Sequence, residues 1–240
     1  MTVHIGTSGW VYRHWRRIFY PKELHQDDWF AYYASLFDTV EINYSFYRLP
    51  SADAFTAWRE RAPSGFIFAV KASRFLTHLK KLKDPEAAIH NLFERASLLG
   101  EHLGPVLYQL PPNWQVNLER FERFLVALPK GYTHVVELRD ESWLIEEVFR
   151  LMERYRVTLC IHDLHSIRIP IRVTAPTVYI RFHGDAHHAG DYSDATLETW
   201  AERIRAWHRE GFDAFVYFNN DVGGYAPKNA MTLKTLLFTS

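Results

Sequence analysis

One cysteine, Cys160, stands in 240 residues and sits inside an apolar run, so no internal disulfide can form and a reducing compartment is expected. Charge of one sign is not in excess either, since 28 Lys and Arg balance 28 Asp and Glu. Without a net field, attraction to nucleic acid or to an anionic membrane would need a local patch. No apolar run approaches the ~18 residues of a membrane span. No basic and then apolar leader precedes the strand-like Thr2-Val3-His4-Ile5, so a cytoplasmic protein with no membrane partner is expected. Linkers, repeats and low-complexity segments are also missing, which predicts one domain over residues 1–240. No Gly-x-Gly-x-x-Gly follows a strand-like run, which speaks against an open doubly wound dinucleotide fold. There is no serine nucleophile elbow, and Cys160 lies mid-strand, so covalent acyl chemistry has little support. No motif names a cofactor.

What the chain has is apolar and aromatic side chains, 48% and 16% of residues, ample for a large core. Short apolar runs alternate with longer amphipathic stretches, the pattern of repeated βα units around a parallel sheet. The runs predict strands at Val3–Ser8, Thr39–Asn43, Phe66–Lys71, Pro105–Leu110, His134–Arg139, Val157–Asp163, Val178–His183 and Ala214–Asn219. Helical periods fall at Trp29–Leu36, Ala52–Arg61, Pro85–His102, Leu118–Leu128, Leu144–Tyr155, Ala195–Glu210 and Pro227–Leu237. After the sixth strand, Leu164–Thr177 carries two prolines and no helical period, so that helix is expected to be missing or replaced by a loop. Eight strands in this length predict a single (β/α)₈ TIM-like barrel, closed between the first and eighth strands.

Alternate residues of a barrel strand face the helices and the interior. In the second strand Val40 and Ile42 then face out, leaving Glu41 and Asn43 inside. The same alternation puts Glu137 and Arg139, Arg181 and His183, and Asn219 inside, with Asn220 and Asp221 just beyond. Ser8, Lys71, Gln109 and His162 end their strands in the inner phase. Polar groups thus gather at the carboxyl ends, where barrels build their sites, whereas structural ones should scatter between both ends. Taken singly, Glu137 with Arg139, or Glu41 with Lys71, could be ion pairs that only let charge sit in a barrel mouth. As a set they favour function, because burying so many charges adds little stability.

Several blocks carry a resemblance: Gly6-Thr-Ser-Gly-Trp10 with Tyr12 and Trp15, Glu41-Ile-Asn43 with Phe46-Tyr-Arg48-Leu-Pro50, and Lys71 with Thr77-His78. Gln109-Leu-Pro111, Glu137-Leu-Arg139 with Ser142-Trp143, Arg181-Phe-His183-Gly184 and Phe218-Asn-Asn-Asp221 continue it. In this order the chain resembles the YecE-like family (domain of unknown function 72), and the resemblance implies a TIM-like barrel without an established role. The Ser-Phe pair at Ser45-Phe46 stands where the family pattern suggests a Ser-Thr-Phe triplet.

Three chemistries compete. Retaining barrel glycosidases carry their acids on strands four and seven, which here offer Gln109 and Arg181 with His183, so that reading is weak. Glu137, His162, Asp163, His183 and Asp221 have ligand types for a metal-dependent endonuclease-like or isomerase-like barrel, but Arg139 and Arg181 share their rows and would repel an ion, so no metal residue is assigned. The loop histidines His165, His187 and His188 are expected in solvent. Anion binding fits better, through Lys71, Arg139 and Arg181, with Ser8, Trp10, Asn43, Gln109, Asn219, Asn220 and Asp221 as further ligand contacts. Gly223 and Gly224 precede a helix whose first turn holds Pro227, a possible phosphate cradle. Aromatic and basic loop residues, among them Tyr47, Arg48, Arg74, Lys80, Lys81 and Lys83, suit a single-stranded nucleic acid or a sugar phosphate. The expectation is an enzyme working by acid–base chemistry on a phosphate-bearing ligand, with Glu41 or Glu137 as base and His162 or His183 as acid. A non-catalytic barrel binding an anionic small molecule or single strand is the alternative.

Overall fold

The computed structural model describes residues 2–185 and 188–238. Strands and helices alternate: β1 (Val3–Thr7), α1 (Trp29–Leu36), β2 (Thr39–Ile42), α2 (Ala52–Arg61), β3 (Ile67–Lys71), α3 (Glu86–Ala96), β4 (Leu103–Gln109) and α4 (Leu118–Ala127). There follow β5 (His134–Glu137), α5 (Glu146–Arg154), β6 (Thr158–His162), β7 (Thr177–Phe182), α6 (Asp194–Glu210), β8 (Asp213–Phe218) and α7 (Tyr225–Phe238). Local chemistry starts several helices. The Ser51, Asn117 and Ser193 side chains accept from the backbone N–H three residues on, filling donors that a first helical turn leaves open.

All eight strands join one parallel sheet in the order β1-β8-β7-β6-β5-β4-β3-β2. β1 pairs with β8 from Val3↔Ala214 to Thr7↔Phe218, which rules out an open doubly wound sheet. The barrel differs from a fully laddered one at its other seam. Gly6 in β1 lies so close to β2 that a Cβ there would stand 2.1 Å from the Thr39 carbonyl oxygen, so only glycine fits. Beside it the Tyr33 hydroxyl, reaching in from α1, accepts from the Thr7 N–H at 2.9 Å and donates to the Thr39 carbonyl at 3.0 Å. A phenol thus replaces a ladder bond between strands that exchange none directly among the described residues. Burial pushes that phenol's pKa up, so it stays a donor.

Two apolar layers hold the barrel. Ala69, Leu107, Val135, Cys160, Tyr179 and Tyr217 fill the interior below the mouth. A larger layer, including Ile5, Val40, Phe68, Val136, Ile180 and Val216, packs the outer strand faces on the helices. No helix occupies 163–176, as the prolines imply. Arg172 moors that segment to α5, its guanidinium bonding Glu146 at 2.7 and 3.0 Å and Glu153 at 2.7 Å, over the Phe149 ring. Boundaries shift slightly from the sequence expectation: His183 and Asn219 lie one residue beyond their strands and Arg139 two, and the helix expected to reach His102 gives way after Ala96 to a 3₁₀ stretch kinked at Gly100.

Candidate active site at the barrel mouth

At the carboxyl end of the strands opens a cleft of about 870 Å³. Its β1–β2 side is aromatic. Trp10 and Tyr12 come from the loop after β1, Phe46 and Tyr47 from the turn after β2, and Trp58 from α2, its ring edge-on to Trp10 at 5.8 Å. The opposite side and floor are polar: Asn43, Lys71, Gln109, Arg139, Arg181, His183 and Asn219. Asp221 stands at the edge, where its carbonyl accepts from His14 Nε2 and Trp15 Nε1, both at 2.9 Å, tying the β1 and β8 loops together.

Beneath the floor runs a buried ionic chain. Arg181 is fully buried and donates to Glu137 Oε2 at 2.7 Å and to Glu41 Oε1 at 2.8 Å; both carboxylates are also fully buried. Tyr179 donates to the other Glu41 oxygen at 2.6 Å, and Arg139 Nε to the other Glu137 oxygen. Burial alone would push the Glu137 carboxyl up, but Arg181 and Arg139 outweigh it and hold the group well below the usual carboxylate range. Arg139 continues the chain to His183 Nε2 at 3.2 Å. A guanidinium only donates, so His183 accepts at Nε2, and the Asn219 amide nitrogen lies 3.2 Å from Nδ1. Burial first, then Arg181, lower His183 to about 2, so it is a neutral imidazole. Asp163 accepts from the His183 backbone N–H at 2.7 Å and from the Tyr192 hydroxyl, which fixes the strand end carrying that ring.

The inner phase read from the sequence is what brings these groups together, but several roles change. Glu41 and Glu137 lie under the cleft with both oxygens of each already engaged, Glu41 by Arg181 and Tyr179 and Glu137 by Arg181 and Arg139, so neither has an oxygen free for a ligand. Glu41 does not pair with Lys71; Arg181 has taken it. His162 is held by the main chain at both nitrogens, Nε2 donating to the Leu138 carbonyl at 2.9 Å and Nδ1 accepting from the Leu164 N–H at 3.3 Å, which leaves no free nitrogen for an acid. Ser8 is buried in the inner phase with its hydroxyl unpaired, outside the cleft lining.

Asn220 turns to the other face, its amide bonding Asn229 of α7 at 2.9 Å and the Gly190 carbonyl at 2.7 Å. Gly223 and Gly224 form a turn away from the cleft. Gly224, at φ +75°, abuts Ile18 so closely that a Cβ would meet it at 2.6 Å, and its N–H already bonds the Asp221 carbonyl at 3.1 Å. Packing and turn geometry therefore explain the pair, without a phosphate. Lys80, Lys81 and Lys83 follow a short turn beside the cleft and do not line it. His188 bonds Asp185 at 2.8 Å, and His187 lies outside the described residues.

Among the described residues no three His, Cys, Asp or Glu side chains converge as a metal site. The suggested ligands are otherwise engaged: Glu137 by two guanidinia, His162 by backbone, Asp163 by Tyr192 and the His183 N–H. Sequence reasoning missed Trp58 and Tyr179. The first comes from a helix, outside any strand-end pattern, and the second reads as an apolar strand residue whose hydroxyl has no local signal.

Comparison with known proteins agrees with this architecture. The family described as "Protein of unknown function DUF72" matches residues 4–240. The UPF0759 protein YunF of Bacillus subtilis is 25% identical, covering 98% of this chain and 94% of its own. A DUF72 family protein of Thermotoga maritima superimposes with a TM-score of 0.88 at 29% identity, over 99% of each chain. D-psicose 3-epimerase of Clostridium cellulolyticum, crystallised with D-tagatose, shares the barrel at a TM-score of 0.61 and 12% identity, over 99% of this chain and 98% of its own.

Proposed function

The chain belongs to the DUF72 family, a family defined without a function, and from that premise we propose that the cleft is the active site of a cytoplasmic enzyme that acts on a phosphate-bearing, ring-containing ligand by proton transfer. One observation carries the reading: a fully buried arginine between two fully buried carboxylates underlies an open cleft with one aromatic and one polar side. Buried charges that contribute little to stability are kept where they hold other groups in place. Here Arg181 and the two carboxylates fix Arg139 and, through it, the His183 ring.

The phosphate partner is the outer edge of Arg139, with the amides of Asn43, Gln109 and Asn219 as neutral donors and Lys71 adding positive charge nearby while protonated; Arg181 has no free nitrogen pair left for a bidentate contact. The aromatic side stacks the ring of a sugar or a base. Lys71, lowered to about 8 by burial and then by Arg181, is the group that exchanges a proton near neutral pH. The saturation of both carboxylates favours one second reading, a barrel that binds the same ligand without turning it over.

Calorimetric titration with inorganic phosphate, nucleoside monophosphates, sugar phosphates and short single strands tests the proposal. Arg139→Gln should weaken phosphate-ligand binding by roughly 1.5–3 kcal/mol, about 10–150-fold. Absence of anion binding by the wild-type protein across that panel would overturn both readings. Conversion of a bound ligand by the wild type, lost in Lys71→Met, separates the enzyme from the binding barrel.

A further inference from the structure

Lys71 has an environment unlike that of the other well-placed lysines. Lys228 pairs with Asp191 at 2.5 Å, and Lys234 donates to the Leu36 carbonyl at 2.6 Å. Lys71 is 6% exposed and lines the cleft, yet its Nζ has no hydrogen bond or ion pair among the described residues. Its Nζ lies over the Phe46 ring, 4.1 Å from the centroid. The carboxylates in reach electrostatically, Glu41 on β2 and Glu137 on β5, are both committed to arginines. Arg181 on β7 and Arg139 after β5 face it as like charges, and His78, whose ring packs edge-on to Phe46 at 5.0 Å, is neutralised by burial and by Lys71 itself. The amine is thus desolvated, beside two cations and without an anion of its own, which is how a lysine is made nucleophilic.

We infer that Lys71 is a covalent nucleophile that forms an imine with the carbonyl carbon of an open-chain aldose or ketose phosphate. The inference rests on the phosphate reading above for its substrate class and adds the carbonyl. The unprotonated Nζ attacks the carbonyl carbon, a C–N bond forms, and the oxygen takes a proton to give the carbinolamine. The C–O bond then breaks, water leaves with the proton lost from nitrogen, and a C=N bond remains. No oxidant or reductant is consumed. The hydroxyl-bearing chain lies along Asn43, Gln109 and Asn219, and the phosphate meets Arg139.

Reductive trapping tests this on the full chain. Glyceraldehyde 3-phosphate, or glyceraldehyde in a second arm, is supplied with sodium cyanoborohydride, and the labelled lysines are mapped by peptide mass spectrometry. At pH 8 an amine titrating near 8 is about half unprotonated, against under ~1% for an ordinary lysine. Part of that advantage is offset by the lower nucleophilicity of a less basic amine, so Lys71 should label roughly 10-fold faster than Lys80, Lys81 and Lys83. Its rate should level off above pH 8 to 9. Labelling of Lys71 no faster than those lysines, in both arms, overturns the imine and leaves the phosphate reading to its own titration. Selective labelling at equal rates in the two arms upholds the imine and removes the phosphate. Faster labelling by the phosphate ester supports both.

Discussion

Replacing Arg181 with Met keeps length and apolar volume but deletes the charge between Glu41 and Glu137. Both carboxylates are fully buried and bonded to that guanidinium at 2.8 and 2.7 Å. After the change Glu137 keeps Arg139, and Glu41 keeps only the Tyr179 hydroxyl. Breaking a buried pair from one side costs about 3–5 kcal/mol, because the partner charge stays buried and uncompensated. Against a total stability of about 5–15 kcal/mol the variant should fold, but marginally. The sign of the pH dependence is the sharper test. In the wild type Glu137 is depressed, so its contribution is present above the unfolded carboxyl pKa, near 4.3, and is lost as pH falls through the folded value. In the variant the buried carboxyl pair has one cation fewer and should take up a proton in the folded state. Stability then falls as pH rises above about 4.3. Urea unfolding followed by tryptophan fluorescence should show the gap between the two proteins widening from pH 5 to pH 8. A loss under ~1 kcal/mol at pH 8, or an equal loss at both pH values, would refute the account of the chain as mutually dependent. Adding Glu41→Gln to the variant should recover part of the loss at pH 8.

Three further outcomes follow from the same geometry. Tyr33→Phe leaves the Thr7 N–H and Thr39 carbonyl unsatisfied at the seam and should lose about 1–3 kcal/mol, with faster hydrogen exchange at the Thr7 amide. Arg172→Ala removes a partly exposed pairing with Glu146 and Glu153 and should lose only about 1 kcal/mol, a difference that shrinks in 1 M salt. Lys71→Met should stabilise the fold, by up to roughly 3 kcal/mol at pH 7, because a lysine lowered from 10.5 to about 8 opposes folding while it is protonated. That gain should disappear as pH rises from about 8 to about 10.5, where the unfolded chain also loses the proton; a pH-independent gain would point to packing alone.

The barrel was legible because its two signals are local. Alternation along Thr39–Asn43 or Val178–His183 follows from a period of two, and prolines 170 and 176 mark the missing helix without reference to anything distant. The β1–β2 seam was not legible. Tyr33 reads as one more apolar residue on α1, and Gly6 as one of 11 glycines. Their roles exist only once two strands distant in sequence approach too closely for a side chain and too irregularly for a ladder.

The site shows the same division at finer grain. Alternation separates Asn219, which faces the cleft, from Asn220, which bonds Asn229, although the two are adjacent and chemically identical. It does not say which carboxylate takes which cation, because that depends on how high each strand end stands around the barrel. Arg181 is level with His162 on one side and Tyr217 on the other, low enough to reach both glutamates, while Arg139 stands two residues past its strand. The two glutamates are thereby consumed by the two arginines, and the cation left over is Lys71. Burial and Arg181 lower its pKa to about 8, so its protonation changes near neutral pH. The floor therefore carries one uncompensated positive charge while Lys71 is protonated, so a single proton on one amine governs both its attraction for an anion and its power as a nucleophile, in opposite directions.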